Sequence, residues 1–232
     1  MFRLFLTIAF FLSPCLGAEP AKPRIISLNL CCLRYAGEAR SFLLKSSPSA
    51  SPTEVPIYQG GFTEPVPVVV EEGKVVVYRK GRADEAPWMP LWSFAVPADG
   101  SNVSAILLPI SPKNAPSSPY TAFFLPATKD FVYGSVLAIN LTPHNARLDL
   151  GRKKLSLPPG ASQSADLASE VDAFDMVPVA AWMQRDGHWQ SLHTTRWAYN
   201  ARYRQVTLIW MDPTANRAEM TSIREMKAMP PP

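Results

Sequence analysis

The segment VPVAAWMQRDGHWQSLHTTRW, residues 177–197, decides the fold class of this chain. It joins two runs rich in β-branched and aromatic residues through the dipeptide Asp186-Gly187. Asp-Gly between such runs is the strongest short signal for a β-hairpin, because a type I′ turn needs positive φ at both central positions. The segment therefore predicts a long antiparallel hairpin in which residues 185 and 188 lie opposite each other.

This register predicts where the tryptophans of the hairpin lie. Trp182 faces Ser191 and Trp189 faces Gln184, so the two indoles lie on one side of the ribbon as diagonal neighbours. Large aromatic side chains usually belong to the core, and we favour that interpretation for the pair of Trp182 and Trp189. If the side is exposed, Trp182, Trp189 and the nearby Trp197 are candidate ligand contacts that could stack on a sugar ring or another apolar ligand.

Strand-like runs continue through the rest of the chain. No window shows convincing helical periodicity, and residues 165–174 are the best candidate for one or two helical turns. Many short strands with proline-rich turns predict an all-β fold of antiparallel, Ig-like β-sandwiches. Further strands are predicted at residues 25–33, 66–70, 74–79, 91–96, 103–110, 132–141, 146–150, 155–157, 206–211 and 220–224.

A proline cluster at residues 109–119 divides the chain, because such a stretch cannot pair as a central strand. We expect two β-sandwich domains, residues 24–110 and 120–227, joined by a semi-rigid linker at 111–119. The proline-rich residues 46–56 are predicted to form a surface loop of the first domain. A single large sandwich is the alternative, and no internal repeat is predicted.

Residues 1–18 predict a cleaved signal peptide. Arg3 precedes a run of nine mostly apolar residues, 4–12, and small residues follow at 17 and 18. This pattern is typical of a secretory signal. The run is shorter than the roughly 20 residues that span a bilayer, so no permanent anchor is predicted. Lipidation of Cys15 is the less favoured alternative, because a proline precedes that cysteine. We expect an exported protein of the periplasm, cell envelope or extracellular space.

Composition argues against several function classes. The chain has 232 residues, of which 18% are charged, and a formal net charge of +4. So mild a charge argues against nucleic-acid binding. No nucleophile-elbow, zincin, phosphate-loop or dinucleotide motif is present, and the three histidines, His144, His188 and His193, are not spaced for a shared metal. We predict no catalytic, cofactor or metal residues, and a non-enzyme is favoured.

Two residue groups suggest chemistry but have ordinary explanations. The acidic residues Asp166, Glu170, Asp172 and Asp175 lack the order of a calcium loop and predict a solvated loop. The adjacent Cys31 and Cys32 lie in a predicted strand, so their side chains point to opposite faces and form no disulfide with each other. We expect one buried thiol and one surface thiol, and an intermolecular disulfide of Cys31 is the residual alternative.

The second half resembles uncharacterised secreted proteins of Verrucomicrobia-type bacteria. The motifs that carry the resemblance are GSVLAINLT at 134–142, LPPG at 157–160, Ala181-Trp182 and RDGHW at 185–189, with Arg196-Trp197 closing the hairpin. The first half is similar in layout only. The resemblance implies a shared sandwich fold and export, and it carries no assigned active site.

Two functions follow as hypotheses. The favoured one is a non-catalytic exported module that binds another envelope protein or helps to assemble a complex, using open strand edges. The alternative is a glycan-binding or glycan-processing protein that uses the Trp182/Trp189 hairpin. The sequence specifies neither the partner nor the oligomeric state. Exposure of the two indoles is the observation that distinguishes these hypotheses.

Overall fold

The computed structural model describes residues 23–37, 40–110, 118–126, 131–213 and 215–227. These ranges form an all-β protein with one 3-10 turn, Ala168–Glu170. The strands of the first half are β1 (Arg24–Cys32), β2 (Ser41–Leu44), β3 (Thr53–Pro56), β4 (Val66–Val70), β5 (Lys74–Lys80), β6 (Trp88–Ala95), β7 (Asn102–Pro109) and β8 (Tyr120–Phe124). Those of the second half are β9 (Ser135–Asn140), β10 (Ala146–Leu150), β11 (Lys153–Leu157), β12 (Ser162–Asp166), β13 (Met176–Arg185), β14 (His188–Ala198), β15 (Tyr203–Asp212) and β16 (Arg217–Met226).

These strands form four sheets of four strands. Sheet A has the order β4-β1-β7-β8 and sheet B the order β3-β2-β5-β6, while sheet C has β12-β9-β15-β16 and sheet D has β11-β10-β13-β14. Sheets A and B enclose one core and sheets C and D enclose another. The prediction of an all-β protein with two β-sandwiches is confirmed. The predicted signal peptide, residues 1–18, and residues 111–117 of the predicted linker lie outside the described residues.

The two halves have the same topology. Adding eight to each strand number of sheets A and B gives the strand orders of sheets C and D. Each half also contains one parallel pair within its otherwise antiparallel sheets, β1 with β7 and β9 with β15. The prediction that the chain has no internal repeat was therefore wrong at the level of structure. The repeat is hidden in the sequence because many side-chain combinations fill one sandwich topology.

A β-bulge lies at the same place in both halves. In the β5–β6 hairpin the register shifts between Val77 and Tyr78, which leaves Leu91 as the extra residue of β6. In the β13–β14 hairpin it shifts between Ala181 and Trp182, which leaves Leu192 as the extra residue of β14. A bulge changes which residues of its strand face each side of the sheet. The residues at 78 and 182 are therefore structurally equivalent positions.

The two sandwich cores differ in composition. The first contains interlocking rings, with Phe42 lying 5.3 Å from Trp92 and 5.8 Å from Tyr120 between ring centroids. The second is built mainly of aliphatic side chains and alanine, and Trp197 is its one buried aromatic residue in the described chain. Edge-to-face ring pairs add to the burial of apolar area, which is the main stabilising term in both cores.

A third core joins the sandwiches through the outward faces of sheets A and C. Cys31 and Ile106 contribute to it from sheet A, while Ile139, Leu208 and Trp210 contribute from sheet C. The central strands of these two sheets are therefore covered on both faces, and the two sandwiches share one continuous interface.

An ion-pair cluster lies at the margin of this third core. The Arg34 guanidinium pairs with the buried carboxylate of Asp212 and, at 3.2 Å, with that of Glu219. Arg34 follows strand β1 of the first sandwich, whereas both carboxylates belong to the second. The cluster therefore ties the two sandwiches together by charge as well as by apolar contact, and the guanidinium balances the charge of a buried carboxylate.

The domain boundary predicted at residue 110 was wrong. β8 pairs with β7 in sheet A, from Pro109 opposite Tyr120 to Ala105 opposite Phe124, and Tyr120 belongs to the first core. The proline-rich stretch thus connects two neighbouring strands of one sheet. Prolines prevent pairing only within the stretch itself, so they mark a hairpin connection as readily as a domain linker.

Other local predictions also needed correction. Residues 46–56, predicted as a surface loop, end in strand β3, which pairs with β2. The candidate helix at 165–174 contains only the 3-10 turn, and its first residues belong to β12. Short edge strands escape prediction because their few residues carry little periodicity. The described residues include no helix long and apolar enough to cross a membrane.

Candidate functional site

The Asp186-Gly187 turn orients the candidate site. Its φ values are 48° and 80°, the left-handed pair that a type I′ turn requires. Arg185 lies opposite His188, Gln184 opposite Trp189 and Trp182 opposite Ser191, which confirms the predicted register. Both indoles therefore lie on one side of the ribbon, on the face of sheet D that points away from the core.

A cation lies against both indoles. Arg147 on β10 is directly opposite Trp182 on β13. Its guanidinium carbon lies 5.2 Å from the Trp182 ring centroid and 5.2 Å from that of Trp189. A guanidinium within about 6 Å of an indole face is attracted by the ring's quadrupole. We call the group Arg147, Asp149, Trp182 and Trp189 the ladder face.

Asp149 holds both Arg147 and Trp182 in place. Its carboxylate oxygen Oδ1 lies 2.9 Å from Arg147 Nε, and its Oδ2 accepts a hydrogen bond of 2.8 Å from Trp182 Nε1. Asp149 follows Arg147 by two residues on β10, so both point to the same face. The carboxylate neutralises the guanidinium and fixes the Trp182 ring, which leaves the ladder face ordered before any ligand arrives.

Exposure separates the three tryptophans of the hairpin. Trp189 is 41% exposed and Trp182 is half-buried on the outer face, whereas Trp197 is 6% exposed. The favoured interpretation of Trp182 and Trp189 as core residues was therefore wrong, because both indoles lie with Arg147 on the outer face of sheet D. The prediction that Trp197 could contact a ligand was also wrong, because Trp197 packs in the second core.

The bulge at Leu192 explains why Trp197 and Trp189 differ. They are eight residues apart, and in a regular strand an even spacing places both side chains on the same face. The extra residue shifts the alternation by one, so that Trp197 lies opposite Val177 and points inward. Sequence reasoning missed this because a bulge has no reliable signature in a single sequence.

Sequence reasoning also missed Arg147 and Asp149. They belong to a strand that was predicted correctly at residues 146–150, and opposite charges at i and i+2 indicate one polar face. Nothing in that pattern shows that the strand pairs with β13, because 33 residues separate Asp149 from Trp182. Only the order of strands in sheet D brings these residues together.

Two acidic residues of the 166–175 segment accept hydrogen bonds from backbone amides, of the segment itself and of the neighbouring β10–β11 turn. Glu170 accepts a hydrogen bond from the Arg152 amide, and this bond is the main reason that its pKa is lowered. Asp172 accepts bonds from the amides of Phe174 and Met176, and these lower its pKa together with Arg196, which pairs with it. In the part of the chain that the structure describes, no three His, Cys, Asp or Glu residues are grouped to hold a metal ion.

The adjacent cysteines point to opposite sides of sheet A. Cys32 lies in the first core and Cys31 in the core between the sandwiches, and both are free thiols. The prediction that they form no mutual disulfide is confirmed, but the expected surface thiol was wrong, because the outer face of sheet A is covered. Burial raises the pKa of Cys31 to about 12 and that of Cys32 to about 11. Neither thiol is poised for nucleophilic chemistry.

Comparison with known proteins gives no family for this chain. No protein-family model matches it. A search of curated proteins likewise returns no match. The class of protein is defined here by the fold and the ladder face alone. It is a two-sandwich β protein with an ordered aromatic and cationic surface on one sheet.

Proposed function

We propose that this protein is an exported, non-catalytic module that binds another protein of the cell envelope through the ladder face. The observation that carries the proposal is the exposed Trp189 indole, held beside Arg147 and Trp182 on the outer face of sheet D. Tryptophan and arginine are among the residues most enriched at the energetic centres of protein interfaces. Signal-like residues 1–18 support export.

Rigidity supports a binding role. Asp149 holds Arg147 and Trp182 by an ion pair and a hydrogen bond, so few rotamers are lost when a partner docks. Preorganised contacts favour binding because less conformational entropy is lost in forming the complex. The neutral Arg147–Asp149 pair also avoids burying an uncompensated charge under the partner.

The test is a crosslinking capture from the native envelope with matched variants. Trp189→Ala removes the exposed indole, while Trp88→Ala removes the tryptophan at the equivalent position of sheet B. We expect the same protein partner with the wild type and Trp88→Ala, and recovery reduced about tenfold with Trp189→Ala. Equal recovery with both variants would overturn the proposal.

The export part of the proposal has its own measurement. Mass spectrometry of the protein from its native host should find a mature chain that begins at Ala18 or Glu19. An intact Met1 on a cytoplasmic product would overturn this part, and a lipidated Cys15 would replace cleavage at residue 17 or 18 by lipoprotein processing.

A glycan ligand is the second candidate, and the exposure of Trp189 is the observation that favours it. An indole face that is open to solvent can stack on the apolar face of a sugar ring. Affinity electrophoresis in gels that contain soluble cell-wall polysaccharide would test it. Retardation of the wild type that is lost in Trp189→Ala and retained in Trp88→Ala would place the glycan first, and equal mobility of all three would remove it.

A further inference from the structure

Strand β14 is the exceptional edge of this protein. Edge strands expose unpaired N–H and C=O groups, and proteins protect them with short length, charge, proline or bulges. Among the described strands, edges β3, β8, β11 and β12 have only four or five residues, and β4 contains Pro67. β16 is long but carries Arg and Glu residues of both signs. β14 has 11 residues with no proline, lysine, aspartate or glutamate. Its bulge at Leu192 and its Arg196 both follow the stretch from His188 to Ser191, which carries none of these protections.

The pairing with β13 shows which backbone groups of β14 face outward before the bulge. In a two-residue hairpin, residues 185 and 188 form a hydrogen-bonded pair, and the next pair along the strands does not. The Gln184 amide indeed turns away, donating to Asn145 O at 2.8 Å. The backbone groups of Trp189 and Ser191, opposite Gln184 and Trp182, therefore point to the open edge of sheet D.

Beyond the bulge the other half of β14 also directs backbone groups outward. The Pro178 carbonyl accepts a bond of 2.8 Å from the Gly151 amide, on the β10 side of β13. Its partner on β14, Arg196, therefore directs its backbone groups outward, as does Thr194 opposite Ala180. β14 thus directs N–H and C=O groups at four residues away from β13, and no other strand of the described residues pairs with it.

The first sandwich shows what a closed version of this edge looks like. Pro90 in β6 lies opposite Tyr78, as Ser191 in β14 lies opposite Trp182. A proline at this outward-facing position removes the free N–H without breaking the hairpin. The equivalent position in β14 keeps its amide, and it lies next to the ladder face.

We propose that β14 accepts an extended segment of a partner protein as an additional strand of sheet D. This inference rests on the proposed function and names its binding mode. Main-chain hydrogen bonds along the edge supply affinity, and alternate side chains of the added strand lie beside Trp189 on the outer face. β14 carries no carboxylate and its one arginine, Arg196, is already paired with Asp172, so the segment that β14 accepts is uncharged.

The probe is a set of peptides of about twelve residues, long enough to cover β14, selected from a random display library on the wild-type protein. Ser191→Pro closes the edge in the way that Pro90 does, and Ser191→Ala is its matched control. We expect the selected peptides to bind Ser191→Ala within about twofold of the wild type and Ser191→Pro about tenfold more weakly. Protection of the amides of His188 and Gln190, measured by hydrogen exchange, checks that the hairpin is intact in each variant.

Hydrogen exchange of the complex supplies the structural readout. The amides of Ser191, Thr194 and Arg196 should exchange rapidly in the free protein and about a hundredfold more slowly with peptide bound. Equal binding to wild type and Ser191→Pro, unchanged exchange at these amides, or no selected peptide that binds below about 100 µM would each overturn strand addition. If Ser191→Pro still captures the envelope partner while Trp189→Ala does not, strand addition fails and the proposed binding function stands.

Discussion

At the shared bulge, sheet B carries Tyr78 and sheet D carries Trp182, and each ring lies beside a cation. Lys45 Nζ lies 4.9 Å from the Tyr78 ring centroid, and the Arg147 guanidinium carbon lies 5.2 Å from that of Trp182. Tyr78 is only 8% exposed, whereas the ring in sheet D is half-buried. The two halves thus have an aromatic ring beside a cation at the same position, but they differ in how far that ring is exposed to solvent.

The surroundings account for the difference. The β5–β6 connection, residues 81–87, is braced by the Arg79–Glu85 ion pair at 2.7 Å, and its Gly81 has no room for a side chain because a Cβ would lie 1.8 Å from Ala86 O. The β13–β14 connection has only two residues. The first sandwich also keeps its large ring cluster inside, whereas the second directs two indoles outward. One topology therefore serves as a packed support in one half and as a candidate binding surface in the other.

The largest effect is expected from the tryptophan inside the second core. Trp197→Ala should lower the free energy of unfolding by about 3–5 kcal/mol, because it leaves a cavity that the core cannot fill. Trp189→Ala, on the same strand, should cost only about 1 kcal/mol, because the exposed indole loses little more than its contact with Arg147. Urea denaturation measures both, and equal costs would show that the bulge does not separate the two side chains.

A smaller effect is expected at the two-residue turn. Gly187→Val should cost about 1–3 kcal/mol, because valine is strained at a φ of 80°. Gly61→Val is the control, since Gly61 also has open space around it but no left-handed φ. Thermal melts of both variants would test this, and a Gly61→Val cost as large as that of Gly187→Val would contradict the turn geometry.

The hydrogen bond beneath the ladder face should contribute less. Trp182→Phe keeps a ring near Arg147 but removes the N–H that donates to Asp149, at a cost of about 1 kcal/mol. Tyr78→Phe is the equivalent change in sheet B, where the hydroxyl has no hydrogen-bond partner among the described residues, so it should be nearly neutral. Denaturant midpoints that fall equally for both would refute the role given to Asp149.

The contact between the Arg147 guanidinium and the Trp189 ring should contribute the least to the free energy of unfolding. A double-mutant cycle of Arg147→Ala and Trp189→Ala should give a coupling of about 0.5–1 kcal/mol. Lys45→Ala with Tyr78→Ala forms the matched cycle in the first half. A coupling near zero for Arg147 and Trp189 would remove the cation from the ladder face while leaving the indole exposed.

Thiol labelling compares the two faces of sheet A without changing the fold. At pH 8 both thiols are protonated in the native protein, because burial raises the pKa of Cys31 to about 12 and that of Cys32 to about 11. Iodoacetamide should therefore leave the native monomer unlabelled and react with both cysteines after denaturation. Rapid labelling of native Cys31 would show that the interface between the sandwiches opens.

Local patterns predicted much of this fold. Strands β4 and β10 were predicted with their observed bounds, because period-two alternation and flanking turn residues are written in the chain itself. β2, β3, β8 and β12 were missed or misassigned. They are short, and their stability comes from neighbours that lie far away in the sequence.

The sequence predicted one part of the candidate site, the part that depends on local contacts. The turn places Trp182 and Trp189 on one side of the hairpin whatever surrounds it, and the structure confirmed that placement. Whether that side is core or surface depends on which face the rest of sheet D covers. Arg147 and Asp149 reach the indoles only through pairing between β10 and β13.

The amino-acid sequence alone thus determined the all-β class, the hairpin register and the type I′ turn, because each follows from residues within a few positions of one another. Tertiary structure decided the repeat of two eight-strand topologies, the inward turn of Trp197 after the bulge, the burial of both cysteines and the assembly of the ladder face. Those features depend on contacts between strands that are distant in the chain, and the free energy of such contacts exists only once the sheets have formed.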